Sequence, residues 1–207
     1  EARLKAAVEE LQGEGIEAHH EVGDVREPDA VAAAVRGILA RFGRIDILVN
    51  NAAGNFPAPM TQISPNGFRS VVAIDLLGTY NVSRAVFDAW LREHGGNIVN
   101  ISAPFELKGV ALQAHVAAAK AGVDSLTRTC AVEWGPYGIR ANCTAVGLIA
   151  SERAVQGWKL NSVDPEVATA NIPLRRAGTP EDCANVIHFL VSDAAAYLSG
   201  ATIPVDG

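Results

Sequence analysis

Short apolar runs alternate with helix-periodic stretches along the whole chain, and this alternation most constrains the fold. IEAHHEVGDV (16–25), IDILVN (45–50), NIVNIS (97–102), IRANCTAV (139–146) and ATIPVDG (201–207) have the length and composition of strands. Between them the sequence predicts helices over 1–13, closed by Gly13, and from about Pro28 to Phe42, with proline suited to the first turn. A long helix is expected from about Pro65 to Glu93, and an Ala-rich one over 114–134. A further helix starts at Thr179-Pro180-Glu181-Asp182, and the stretch after Val146 reads as irregular to about Pro173. Strands separated by helices pair in parallel through right-handed crossovers, with helices on both faces of the sheet. The expected fold is α/β: a doubly wound parallel sheet in three α/β/α layers, forming one domain over 1–207.

One expected part is missing. A Rossmann-like sheet that binds a dinucleotide carries a Gly-rich turn after its first strand, leading into a helix N-terminus that holds the pyrophosphate. Gly13-x-Gly15 and Gly95-Gly96 lie in the wrong context for it. The expectation is therefore a fragment lacking the first two strands and the Gly-rich βαβ part, about 50 residues upstream, which leaves 16–25 without a neighbour.

Composition narrows the function classes. Net charge is −6 with no basic run, which argues against nucleic acid, and no signal peptide or long apolar span points to a membrane. Cys130, Cys143 and Cys183 form no C-x-x-C pair and read as free thiols in a reducing compartment, and cytoplasm is the expected location. The histidines show no metal-ligand spacing; adjacent His19 and His20 point to opposite faces of a strand, and no metal is expected.

Several residues stand out chemically. Lys120 lies inside an Ala-rich helix, HVAAAKAGVDSL, where an amine is costly unless it is partnered or reaches solvent. Asp75 sits mid-helix among apolar residues in SVVAIDLLGTY; a carboxyl group there is either an acid–base group or a paired structural aspartate. Asp24-Val25 ends a strand, where a carboxylate meets an adenine amino group or simply caps the next helix. Asn50-Asn51-Ala52-Ala53-Gly54 follows a strand with small residues that let a flat ligand approach, or that merely allow a tight turn. Gln113 and His115 precede the lysine helix as pocket lining or as plain N-terminal residues.

These residues, in this arrangement, resemble the short-chain dehydrogenase/reductase family. That family places a Tyr one helical turn before the Lys, where this chain has Val116; its Ser falls on Ala103 and its Asn on Asp75. Val116 and Ala103 supply neither a proton nor a hydroxyl to a ketone oxygen, so ordinary carbonyl reduction is disfavoured. Within the family the chain resembles the 2,4-dienoyl-CoA reductases, through Ala52-Ala53-Gly54-Asn55-Phe56, Ile74-Asp75, Gly78-Thr79-Tyr80-Asn81-Val82-Ser83, Gln113-x-His115, Ala119-Lys120-Ala121 and Ala131-Val132-Glu133-Trp134-Gly135-Pro136. The resemblance implies NADPH-dependent reduction of a 2,4-dienoyl-CoA to a trans-3-enoyl-CoA, with NADH not excluded. Asp75 and Lys120 would be catalytic, and Lys120 would also hold the nicotinamide ribose. Asp24, Val25, Asn51, Ala52, Ala53, Gly147 and Ile149 would line the cofactor site. Arg26, Phe56, Ser64, Pro65, Asn66 and His115 would meet the acyl-CoA, under a covering loop at about 151–172. It also implies a homotetramer paired through the two long helices, and a peroxisomal location if the source is a eukaryote.

Two other readings stay open. One is a reductase of 3-oxoacyl thioesters or other carbonyls, using His115 or Tyr80 as the acid. The other is a catalytically silent dinucleotide-binding protein.

Overall fold

A computed structural model describes residues 1–105, 109–160 and 164–207, apart from the side chains of Arg153 and Leu160. Its centre is a sheet of four parallel strands side by side in chain order: β1 (Ile47–Asn50), β2 (Gly96–Ser102), β3 (Ile139–Val146) and β4 (Thr202–Val205). The register sets Asn50 beside Asn100 and Asn100 beside Cys143. β1 thereby ends opposite Asn100, two residues before the tip of β2 at Ser102.

The first helices are α1 (Ala2–Gly13) and α2 (Pro28–Phe42); α2 opens on Pro28 and ends on Gly43, whose φ of 72° suits glycine. The predicted long helix is one helical path of five segments: α3 (Pro65–Val72), a π turn (Ala73–Leu77), α4 (Gly78–Val86), a second π turn (Phe87–Leu91) and α5 (Arg92–His94). Then come α6 (Ala114–Trp134), α7 (Glu152–Leu160), α8 (Pro165–Thr169) and α9 (Pro180–Val191). On one face of the sheet, Ile98 and Ala141 join Val31 and Val35 of α2, Val86 of α4, Phe87 and Leu91 of the second π turn, and Cys130 of α6 in a single buried cluster. On the opposite face the Asn97 side chain reaches the Val191 carbonyl of α9. The alternation of side chains along each strand sorts these contacts into the expected three layers.

Two expectations are corrected. Residues 16–25 form no strand, because no strand among the described residues offers them a ladder, and Val25 sits in a turn. The stretch read as irregular carries α7 and α8. Asp164 caps α8 by accepting the Glu166 amide hydrogen, with Pro165 in the first turn. The covering loop expected at 151–172 lies partly outside the described residues, at 161–163.

Candidate active site

The site is built where β1 and β2 end. Asn50, the last residue of β1, uses both amide hydrogens, donating to Ser83 of α4 at 2.9 Å and to Asn100 of β2 at 2.8 Å. Asn100 donates in turn to the Thr127 hydroxyl of α6 at 2.8 Å, so one buried chain of hydrogen bonds ties both strands to both helices. Such a network is costly to break, because each member left alone would be a buried unsatisfied group.

Asp75 is fully buried within the first π turn. The extra residue in such a turn swings its side chain relative to a regular helix. The Thr79 hydroxyl donates to Asp75's own carbonyl at 2.7 Å. Its carboxylate Oδ1 accepts the Gly54 amide hydrogen at 2.7 Å, while Oδ2 has no hydrogen-bond partner among the described residues. The Lys120 ammonium stands 3.4 Å from Oδ2 and donates to the Ile101 carbonyl at 2.8 Å, with only 7% of the residue exposed. α6 and the π turn come this close because residue 122 is glycine: a Cβ there would lie 2.7 Å from a methyl of Leu76. Val116 and Ala103 stand at the expected positions, one turn before Lys120 and just after β2, and neither carries a polar side chain.

The other expected residues fall into three groups. Asn51, Ile149, Val146 and Ile101 line one cleft of about 550 Å³, open at the C-terminal end of the sheet and closed by Cys183 and Ile187 of α9. Gly147 approaches the backbone of Asp206 so closely that a Cβ would lie 2.8 Å from its Cα, and Gly178 donates to the Leu148 carbonyl, which fixes the 147–150 segment beside that cleft. Asp24, Val25, Arg26 and Ala52 line a second, shallower hollow with Ile74. There the Arg26 guanidinium and its backbone amide hold the Asp24 carboxyl down to about 2. Asn81, unremarked in the sequence beyond its motif, donates to the Val25 carbonyl at 2.9 Å and anchors this hollow to α4.

The third group is the acyl side. Phe56 is 40% exposed, and its ring tip packs where a Cβ on Gly67 would stand, 2.8 Å away. Ser64 caps α3 by accepting the Gly67 amide hydrogen at 3.0 Å, Pro65 opens that helix, and Asn66 is exposed beside them. His115 is fully buried, so its expected place in the acyl lining is indirect: it meets the Phe56 ring edge-on at 4.4 Å. Sequence reasoning missed the Gly54 amide as the partner of Asp75 and the Ile101 carbonyl as the partner of Lys120. Backbone groups leave no trace in residue identity. Ser83, Asn100 and Thr127 were detectable in principle, as polar residues at inward positions of a strand and two helices.

Lys120 has three N–H groups, one on Ile101 and one toward Asp75, which leaves one to meet a ligand hydroxyl. An amine at the strand tips beside an apolar cleft with room for a flat ring suits a nicotinamide nucleoside. No group of His, Cys, Asp or Glu that could hold a metal ion occurs among the described residues. No described helix is long and apolar enough to cross a membrane.

A parallel sheet with helices on both faces, and a lysine helix that begins beside the strand tips, is a Rossmann-like architecture, and the chain belongs to the short-chain dehydrogenase/reductase family. It matches, over residues 1–207, the family described as enoyl-(acyl carrier protein) reductase. It is 46% identical over 184 residues to a zebrafish (Danio rerio) peroxisomal 2,4-dienoyl-CoA reductase described as (3E)-enoyl-CoA-producing, covering 89% of this chain and 61% of that protein. It is 44% identical over 188 residues to a probable 2,4-dienoyl-CoA reductase of Bacillus subtilis described as (2E)-enoyl-CoA-producing, covering 89% of this chain and 73% of that one. Among solved structures, an actinorhodin polyketide ketoreductase with NADPH superimposes with a TM-score of 0.94 at 27% identity, over 100% of this chain and 83% of its own. The chain spans about three fifths of the length of several of the curated relatives it matches.

Proposed function

We propose that this protein reduces 2,4-dienoyl-CoA thioesters to trans-3-enoyl-CoA, with NADPH as reductant, in the β-oxidation of unsaturated fatty acids. The observation that carries the reading is the buried Asp75–Lys120 pair, set where neither Val116 nor Ala103 can serve a carbonyl oxygen. The names of the zebrafish and Bacillus relatives support the substrate class, and they differ on the product isomer.

A bound nicotinamide supplies hydride, here to Cδ of the dienoyl chain. The negative charge then spreads over a dienolate, and a proton must reach the α-carbon. Oδ1 of Asp75 is committed to the Gly54 amide, so Oδ2, which faces the Lys120 ammonium, is the oxygen through which a proton would pass. Asp75 has no exposed surface, so it does not touch substrate directly, and the proton it passes would travel through a water admitted when substrate binds. Lys120 fixes the ribose hydroxyls and lends positive charge beside the developing dienolate. Asn51, Gly147 and Ile149 pack the nicotinamide half, Asp24, Val25 and Ala52 lie at the adenine, and Ala53 lies on the same loop after β1. Phe56 and the Ser64-Pro65-Asn66 corner lie on the acyl-CoA side, whereas Arg26 shares the hollow of Asp24, which takes its guanidinium, and would meet the CoA only if that pair opened. A homotetramer paired through the long helices is part of the same proposal, and so is a peroxisomal location in a eukaryote, after the relatives' names.

The test is turnover of a 2,4-dienoyl-CoA with NADPH by the full-length protein, with a 3-oxoacyl thioester as the contrast substrate. Asp75→Ala should cut dienoyl-CoA turnover by about a hundredfold or more while NADPH affinity stays within about threefold. Unchanged turnover would remove Asp75 from the chemistry, and faster reduction of the 3-oxoacyl substrate by the unaltered protein would overturn the assignment.

A further inference from the structure

The loop from Gly54 to Ala58 has no regular secondary structure, yet it carries both the amide that holds Asp75 and the ring expected against the acyl chain. What fixes it is the segment 112–115. The Ala58 amide donates to the Leu112 carbonyl at 3.1 Å, the Asn55 side chain donates to Gln113 at 2.8 Å, and the His115 ring meets the Phe56 carbonyl at 3.0 Å. Leu112 adopts a φ of 68°, a left-handed conformation that an L residue holds only when its surroundings enforce it.

These ties are unequal. The Asn55–Gln113 bond is exposed, so water competes for both partners. His115 is fully buried, and its two nitrogens are assigned by their neighbours. Nδ1 accepts the Val116 amide hydrogen at 3.0 Å, so the ring proton sits on Nε2 and is donated to the Phe56 carbonyl. The same ring braces the Phe56 side chain edge-on.

We infer that His115 is a positioning residue: its neutral ring latches the Phe56 carbonyl and thereby sets both the Gly54 amide on Asp75 and the Phe56 ring on the acyl side. The inference rests on the dienoyl-CoA reading for what the loop serves, but the latch is a property of the chain itself. It assigns His115 no proton transfer and no contact with substrate.

Two near-isosteric variants separate a latch from a merely well-packed histidine. In Gln the amide nitrogen reaches the place of Nε2; in Asn it reaches only that of Nδ1. His115→Gln should keep kcat/KM for the dienoyl-CoA within about threefold, whereas His115→Asn and His115→Ala should lose about tenfold or more, with KM raised and NADPH affinity unmoved. In parallel, hydrogen exchange of the Gly54 and Ala58 amides should stay slow in the unaltered protein and the Gln variant and accelerate in the other two. A Gln variant as impaired as the Asn variant, or exchange at these amides indifferent to the substitution, overturns the latch. If the unaltered protein fails to reduce dienoyl-CoA, the functional reading falls, while the exchange comparison still decides the role of His115.

Discussion

Asp75 and Lys120 illustrate what a buried pair does and does not contribute. Two charges taken out of water gain little net stability from one another, but removing one partner strands the other. Lys120→Met should therefore destabilise the protein by about 3 kcal/mol, and adding Asp75→Asn to that variant should return about 1 kcal/mol or more, as read by denaturant unfolding in a double-mutant cycle. Strict additivity of the two changes would mean that the 3.4 Å approach carries no coupling. At this scale much of the site was legible, because the substitution of Tyr and Ser by Val116 and Ala103 and the arrival of Asp75 are visible as letters. The second role of the loop after β1 was not, since Gly54 contributes only its backbone N–H.

Among the elements, the meeting of α6 with the first π turn sets how near the amine comes to the acid. Gly122→Ala would bring a Cβ to 2.7 Å from Leu76 Cδ2. The exchange of glycine for alanine also favours the helix by about 1 kcal/mol. The two effects oppose one another, so the expected result is a melting temperature almost unmoved and a kcat lowered on the order of tenfold as the turn backs away. An unchanged kcat would show that the close approach is dispensable. Strands and most helices were predictable from periodicity and from caps such as the Thr179/Asp182 box of α9. The π turns were not, because their residues have ordinary helix composition and the extra residue is set by tertiary packing. Asp164-Pro165 was a start signal for α8, hidden in a stretch too short to show a period. The strand expected at 16–25 is absent among the described residues, because an extended segment becomes a strand only through its ladder.

For the molecule as a whole, the thiols shape the alkaline limit of stability. Burial, then the charge of Glu133, pushes Cys130 up to about 11 from an ordinary 9.0. Burial and Asp124 push Cys143 higher still. The folded protein therefore keeps protons that the unfolded chain releases, so this contribution is intact below pH 9.0 and falls as pH rises through the folded value of Cys130. Urea unfolding followed from neutral pH to about 11 should show that decline, and Cys130→Ala should flatten part of it. A profile identical in both proteins would place the alkaline loss elsewhere.

The π turn also carries a lesson about portability. An acid placed by a widened turn is not a side chain alone but a side chain plus one residue of backbone. Writing an aspartate into the matching letter of an unwidened helix would aim it along a different bearing, with no Gly54 amide to receive it. A grafting experiment that moves this chemistry into another reductase must therefore carry the turn and the loop that answers it, as one cassette.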